Sequence, residues 1–543
     1  MLILSVNLAF SYIKNCCKRI PLTVLYYFLF LYLLQWDQYR RIWLALRQSK
    51  SNMAKEENVT GQHLFIYSSF IYKQRLPALQ NLTIARTQLV ILLMAERATI
   101  NLIMEPLKCF AMTKNATKMT SQTEIIGSMG VCALDLFLFT CTMENVEPND
   151  DIQQNNMMNM FSVEFSNKNN NNTFDMKRQL NLSPMQPSYK PRALVLCISR
   201  IFLFEKWQLL IACLEAYRIF KVDLVVAYVQ SAILSVFELM RAYEKDGILK
   251  IRPGIRFPHH RGMKWDPNAE TEFNGQILLA HECFYEHRES AQFIGLLDLD
   301  DLLVPSKNFE DLPAAFLAAF QRHPDTAYFL VNKIDASFVE QSVSSPTEFS
   351  LRKLLSDGIR AAETYNAEKL VVRPKAVRGF WIHNAQNLEP NTNGVRLLTN
   401  YSLIFHLAND LKVDPEEFRN PFMANYDIDI MNNHSTVLLK QFINSQLPSA
   451  QPFFDALLQC HDQIISYTKS ALILGIHSSP HCLTYSLCEI PQLPTTVCAT
   501  TRSIFGTTVI SDVVGDANVP KVIIHIREKS VFENVICSEE SGI

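Results

Sequence analysis

No glycine-rich phosphate loop of either common kind occurs in this chain: there is neither a GxGxxG after a first strand nor a Walker A sequence. Their absence removes support for an oxidoreductase-type dinucleotide fold and for a P-loop enzyme. An excess of basic charge is missing too. Lys and Arg total 51 against 53 Asp and Glu, a net charge of −2, so nothing marks a nucleic-acid surface and no nucleic-acid partner is expected. None of the 13 cysteines forms a CxxC pair. Cys482, Cys488, Cys498 and Cys537, in a Pro- and Thr-containing stretch, therefore read as disulfide-bonded loops rather than zinc ligands, while Cys197, Cys213 and Cys283 lie in apolar segments and read as core residues.

What the chain does contain is the run Phe293-Ile294-Gly295-Leu296-Leu297-Asp298-Leu299-Asp300-Asp301-Leu302-Leu303-Val304-Pro305. A continuous apolar segment is the signature of a strand buried on both faces, and ligands of open α/β sheets bind beyond the carboxyl ends of such strands. Paired hard oxygen ligands suit Mg²⁺ or Mn²⁺, which take part of their coordination from substrate phosphates. The competing reading is a turn or helix cap, since Asp accepts from free backbone N–H groups there. Three adjacent acids favour the metal, because like charges repel without a cation. Spacing alone proves little: Asp427-Ile428-Asp429 repeats it in a polar stretch.

At 543 residues the chain has room for roughly two to four domains of about 150 residues each. Ile20 to about Gln35 carries no charge, and Trp36, Tyr39 and Trp43 follow as an interfacial aromatic belt would. This predicts an uncleaved signal anchor over 20–36, at the short end of what spans a bilayer. Charges flank it on both sides, but sequons at Asn58, Asn81, Asn115, Asn171, Asn181, Asn400 and Asn433 all follow it, which predicts a lumenal body on a single-pass type II protein of the Golgi or another secretory-pathway membrane. The expected organisation is a cytoplasmic tail (1–19), the anchor (20–36), a stem (37–60), an N-terminal lumenal subdomain (61–144), an Asn-rich flexible insertion (145–190), a main α/β domain (191–446) and a Cys-containing extension (447–543).

Within the main domain, strands are expected at 193–198, 224–229, 248–251 and 293–297, with helices at 205–220, 232–244 and 270–289. Alternation at this spacing predicts a doubly wound, Rossmann-like, mostly parallel sheet flanked by helices. The residues that fill the pattern include Cys197-Ile198-Ser199, Phe202, Glu205, Trp207-Gln208-Leu209-Leu210, Tyr228-Val229-Gln230-Ser231, Phe237-Glu238-Leu239, Asp298-Leu299-Asp300-Asp301, Asn332-Lys333, Trp381-Ile382-His383 and Phe405-His406-Leu407. Together they resemble glycosyltransferase family 92.

The resemblance implies a GT-A fold, a membrane anchor and transfer of a sugar, galactose favoured, from a UDP-sugar to a glycan acceptor such as a fucosylated N-glycan, with Mn²⁺ or Mg²⁺. It also implies roles. Asp298 and Asp300 are the expected metal-binding motif with Asp301 beside them; Cys197, Ser199, Glu205 and Gln230 are expected around the nucleotide; a downstream His is expected as a third ligand, His383 first and His406 second. For an inverting reaction, Asp335 and Glu363 lie in the half of the fold that supplies a base, without a motif of their own. Arg200, Phe204 and Gly275 depart from the family pattern. They keep open a catalytically diverged glycan- or nucleotide-binding protein of the same fold, alongside a metal-dependent phosphohydrolase or nucleotidyltransferase.

Overall fold

The computed structural model describes residues 61–77, 83–97, 99, 108–111, 117–118, 120–126, 132–144, 161–165, 178–260, 263–343, 345–408, 428–443, 447–473, 482–510 and 521–537. Apart from 260 and 263–264 these belong to one compact unit, Gly61–His259 with Trp265–Ile543.

Its main sheet is built from β1 (Arg192–Ile201), β2 (Leu224–Val229), β3 (Leu249–Pro253), β4 (Ala291–Leu297), β5 (Asp301–Pro305), β6 (Thr326–Phe338), β7 (Ile359–Val372), β8 (Asn393–Leu397) and β9 (Ser402–Ala408). The strand order is β3-β2-β1-β4-β7-β6-β9-β5, with β8 also on β6. The first four strands pair in parallel. Their apolar runs are buried almost throughout, as in VVAYV of β2, because helices cover the sheet. Those helices are α1 (Trp207–Ile219), α2 (Leu234–Asp246) and α3 (Gln276–His287); α4 (Leu312–Arg322), α5 (Ile428–Leu439) and α6 (Pro452–Ile473) come later in the chain. α1 is buried along all of Trp207–Tyr217, which explains a helix apolar on every side.

The expectation of a mostly parallel sheet needs correction beyond β4. β7 runs antiparallel to both β4 and β6, and β5 antiparallel to β9, so the sheet is mixed. In this part of the sheet β6 alternates buried and half-buried residues over much of its length, the pattern of a strand covered on one face only. The predicted N-terminal transmembrane helix, and the single-pass type II placement that rested on it, are also corrected. Among the described residues no helix is long and apolar enough to cross a membrane, and residues 20–36 lie outside them.

A second sheet joins distant parts of the chain. Gly61–Pro77, Thr83–Ala95, Asp135–Glu144 and Thr120–Ile125 from the beginning pair with Val497–Ile510 and Lys521–Ile536 from the end, the link being the parallel register of Leu64 with Ile524. Ser231–Ile233, directly after β2, adds the edge strand. Disulfides Cys132–Cys482, Cys460–Cys488 and Cys498–Cys537 fasten the C-terminal part. Cys197 and Cys283 are more than core residues: they form a bridge from β1 to α3, leaving Cys213 as the free, buried thiol among the described residues.

Candidate active site

β4 delivers its chain to the site buried from Phe293 to Leu297, and the turn Asp298–Asp301 follows at once, closed by Asp301 N–H donating to the Asp298 carbonyl at 3.1 Å. Two helices fix this turn from below. Cys213 of α1 donates to the Leu299 carbonyl at 3.2 Å and the Tyr217 hydroxyl to that of Asp301 at 2.9 Å. From α3, Gln276 donates to Asp298 Oδ1 at 2.6 Å. α3 can start there because Gly275 takes φ 79° at its head, a conformation that suits glycine.

The three acids differ. Asp301 is fully buried. Its carboxylate meets His406 Nδ1 at 3.0 Å, Lys369 Nζ at 3.1 Å and Lys333 Nζ at 3.5 Å. Burial alone would raise its pKa, but Lys369, the His406 hydrogen bond and Lys333 outweigh it and hold the group well below the usual carboxylate range. For Asp298 burial again opposes, and Lys369, at 2.5 Å from Oδ2, wins and lowers the pKa. Asp300 is the exception. Its side chain is 35% exposed and its ion-pair neighbour is His406 at 3.9 Å; burial, with repulsion from Asp301 and Asp298, outweighs His406 and pushes this acid upward.

His406 is brought in by sheet register, since β5 and β9 pair Asp301 directly with it. Donating from Nδ1 to the Asp301 carboxylate leaves Nε2 as its open nitrogen. Although burial favours the neutral ring, Asp300 and Asp301 raise its pKa. Asp300, Asp301 and His406 can each offer one ligand atom within 4.8 Å of the others. A cation fits this set: Asp300 lacks a close countercharge, and Asp301 orients the imidazole as carboxylates orient metal-binding histidines. His383 stands outside the cluster. Its Nδ1 donates to the Glu368 carbonyl at 2.7 Å, and burial lowers its pKa.

The residues expected around a nucleotide are spread over two clefts and two structural roles. Ser199 lines one cleft with Gln276, Lys369, Phe380, Trp381 and Ile382. Gln230 lines another with Ile255, Phe257, Asn268, Thr271 and Asn274, and its Oε1 is buried without a hydrogen-bond partner. Gly254 lies against it so closely that a Cβ would stand 2.9 Å from the Gln230 Cα. Cys197 is held in its disulfide. Glu205 lies beneath the start of α6 (Pro452–Ile473), accepting from Phe454 N–H at 2.8 Å.

Sequence reasoning passed over Lys369, Gln276 and the part of Lys333 in pairing Asp301. A lysine heading the apolar end of β7, in Lys369-Leu370-Val371-Val372, was the available signal, because a buried ammonium needs acids opposite it.

Residues 192–443, which contain both halves of this site, match the model of glycosyltransferase family 92. This stretch is the part of the chain that is similar to glycosyltransferase family 92. Similar family 92 proteins of Caenorhabditis elegans include F59C6.8, 28% identical over 356 residues, covering 60% of this chain and 66% of that protein. ZK381.2 is 26% identical over 324 residues, covering 56% and 61%, and F13G3.3 is 25% identical over 263 residues, covering 47% and 52%. The chain thus spans between about half and two thirds of the family 92 relatives it matches.

Proposed function

We propose that this protein is a metal-dependent glycosyltransferase that moves a sugar from a UDP-sugar to a glycan acceptor with inversion. Galactose as the sugar and a fucosylated N-glycan as the acceptor are the choices favoured by the family likeness. The observation that carries the reading is Asp300: a half-exposed acid at the carboxyl end of β4, raised in pKa and set beside His406, inside the family 92 region.

Asp300 and His406 would hold a divalent cation, with Asp301 fixing the ring. When bound, the cation neutralises charge developing on a departing diphosphate. The chain's own groups do the remainder. Lys369 ties Asp298 to Asp301, keeping both ionised and the turn rigid. Trp381 and Ile382 line the cleft beside Ser199.

The test is release of UDP from a panel of UDP-sugars by the full chain, in Mn²⁺ and in EDTA. Metal-dependent turnover of one donor is expected, lost in Asp300→Asn. Turnover that survives EDTA and Asp300→Asn would overturn the metal-dependent reading. Lys369 already neutralises two of the acids, which favours one second reading, a binding protein without catalysis; tight UDP binding with no turnover of any donor would support it.

A further inference from the structure

The C-terminal segment, outside the family-matched residues, reaches the acid turn through Arg200. At the carboxyl end of β1, the Arg200 guanidinium lies 4.4 Å from the centre of the Tyr485 ring and 5.9 Å from that of Phe273. Its Nη2 donates to the Tyr485 hydroxyl at 3.3 Å. That hydroxyl lies 3.1 Å from His461 Nδ1 of α6, and the Tyr485 ring stacks on Phe202 with centroids 6.1 Å apart. The other guanidinium nitrogen, Nη1, is closed off from solvent with no hydrogen-bond partner. Among the described residues no carboxylate lies within ion-pair distance of Arg200. β1 and β4 pair Ile198 with Leu297, which sets Arg200 at the sheet end where Asp298 begins the acid turn, and its positive charge helps to lower the Asp298 carboxyl after burial and Lys369 have acted.

The segment bearing Tyr485 and His461 is firmly held. Cys460, next to His461, is bridged to Cys488 near Tyr485, and Cys482 to Cys132. The Asn274 side chain accepts from Tyr485 N–H at 2.8 Å and from the Thr484 hydroxyl at 2.9 Å, while Phe273 N–H donates to the Leu483 carbonyl at 2.6 Å. Phe273 and Asn274 take φ 46° and 53° to do this, strained values for residues with side chains. Burial, reinforced by Arg200, keeps His461 below its usual pKa, so Arg200 is the cation of this group.

An arginine held against an aromatic ring, with a shielded donor lacking an acceptor, is suited to a phosphate, which accepts from the guanidinium fork in a bidentate manner. Leaving a buried donor unpaired is costly, and an anion at the acid turn would supply its acceptor. We infer that Arg200, positioned by Tyr485 and His461 of the C-terminal segment, binds the diphosphate of the nucleotide donor. This rests on the glycosyltransferase reading for what the diphosphate belongs to.

Calorimetric titration of the full chain with UDP, uridine and inorganic pyrophosphate, each with Mn²⁺ present, tests it. Arg200→Gln should weaken UDP and pyrophosphate about tenfold or more while leaving uridine unchanged, and Arg200→Lys should restore part of the loss. Tyr485→Phe keeps the ring and removes only the hydroxyl; a loss of about threefold for UDP, again with uridine unchanged, is expected from the weaker hold on the guanidinium. Thermal unfolding of each variant checks that the fold is kept. Equal UDP and pyrophosphate affinities in wild type, Arg200→Gln and Tyr485→Phe would overturn the inference and leave the glycosyltransferase reading standing. Wild type that binds pyrophosphate in an Arg200-dependent way but no UDP would overturn that reading and keep the anion site. Binding of neither would sink both.

Discussion

Two buried ionic neighbourhoods lie along α1, and they solve the same problem in opposite ways. At the acid turn the buried Asp301 has Lys369, Lys333 and His406 as partners, and the partly exposed Asp298 has Lys369. At the head of α1, Glu205 and Lys206 are almost as deeply buried, and there burial dominates their titration. Burial pushes Glu205 up to about 8 and Lys206 down to about 8, and Glu340 nearby is raised to about 6. Glu205 instead takes backbone N–H groups of α6, and the Lys206 ammonium lies 3.6 Å from the centre of the Phe454 ring. The first neighbourhood keeps its charges; the second tends to lose them. Among the described residues, the first also holds the group Asp300, Asp301 and His406, whose ligand atoms lie close enough to share a cation.

The comparison breaks most severely at Lys369. Lys369→Met leaves Asp298 and Asp301 without their shared cation inside the protein, and removing one partner of a buried pair costs about 3–5 kcal/mol. Urea unfolding at pH 7.5 should show a loss of that size. A midpoint within experimental scatter of wild type would mean that Lys333 and His406 suffice for Asp301. Next in size is Asp300→Asn. This acid has no close countercharge to strand, so stability should hardly change while metal-dependent turnover falls by about a hundredfold or more, the scale of removing a charge-stabilising group. Measuring Mn²⁺ affinity and UDP release together separates the two effects, and equal loss of stability would put Asp300 with Asp301 as a structural acid.

The second neighbourhood makes a pH prediction. A raised acid keeps its proton in the folded chain after the unfolded chain has lost it, so Glu205 favours folding most below the ordinary Glu range near 4.3 and costs stability progressively as pH rises to about 8. Lys206, lowered to about 8, acts in the next window: stability recovers from about pH 8 toward 10 as the unfolded lysine, too, loses its charge. Glu205→Gln should flatten the first limb, gaining up to about 4 kcal/mol over wild type at pH 8 and little at pH 4.5. Parallel pH profiles for the two proteins would show that the α6 N–H groups keep Glu205 ionised.

The strand that ends at the acids was legible because both its signals are local: a buried parallel strand is apolar along its length, and acids beyond it interrupt that run. The helices at 207–219 and 234–246 were legible for the same reason. The partners of the acids were not. Asp301 meets His406 across a separation of 105 residues and Asp298 meets Lys369 across 71, and those meetings depend on the registers of β9 and β7, which no local pattern sets. The mixed order of the sheet was hidden likewise, since pairing direction is decided between strands. Tyr485 and His461 were hidden most deeply, because disulfides and the turn at Phe273–Asn274 bring their segment to the site.

The smallest expected effect isolates context from motif. Asp429 belongs to the second Asp-x-Asp, yet it sits at the start of α5 (Ile428–Leu439), 69% exposed, paired with Arg352, which is itself 52% exposed. A pair in water contributes little, because solvent screens the attraction and two side chains must be ordered to form it. Asp429→Ala should therefore change stability by less than about 0.5 kcal/mol and leave Mn²⁺ affinity and UDP release as they were. The same three-residue spelling is thus expected to give a large functional loss at Asp300 and none here. What separates them is the buried strand behind one and the solvent around the other. A clear loss of Mn²⁺ affinity in Asp429→Ala would reverse that conclusion and make spacing, rather than burial and countercharge, the determinant of the site.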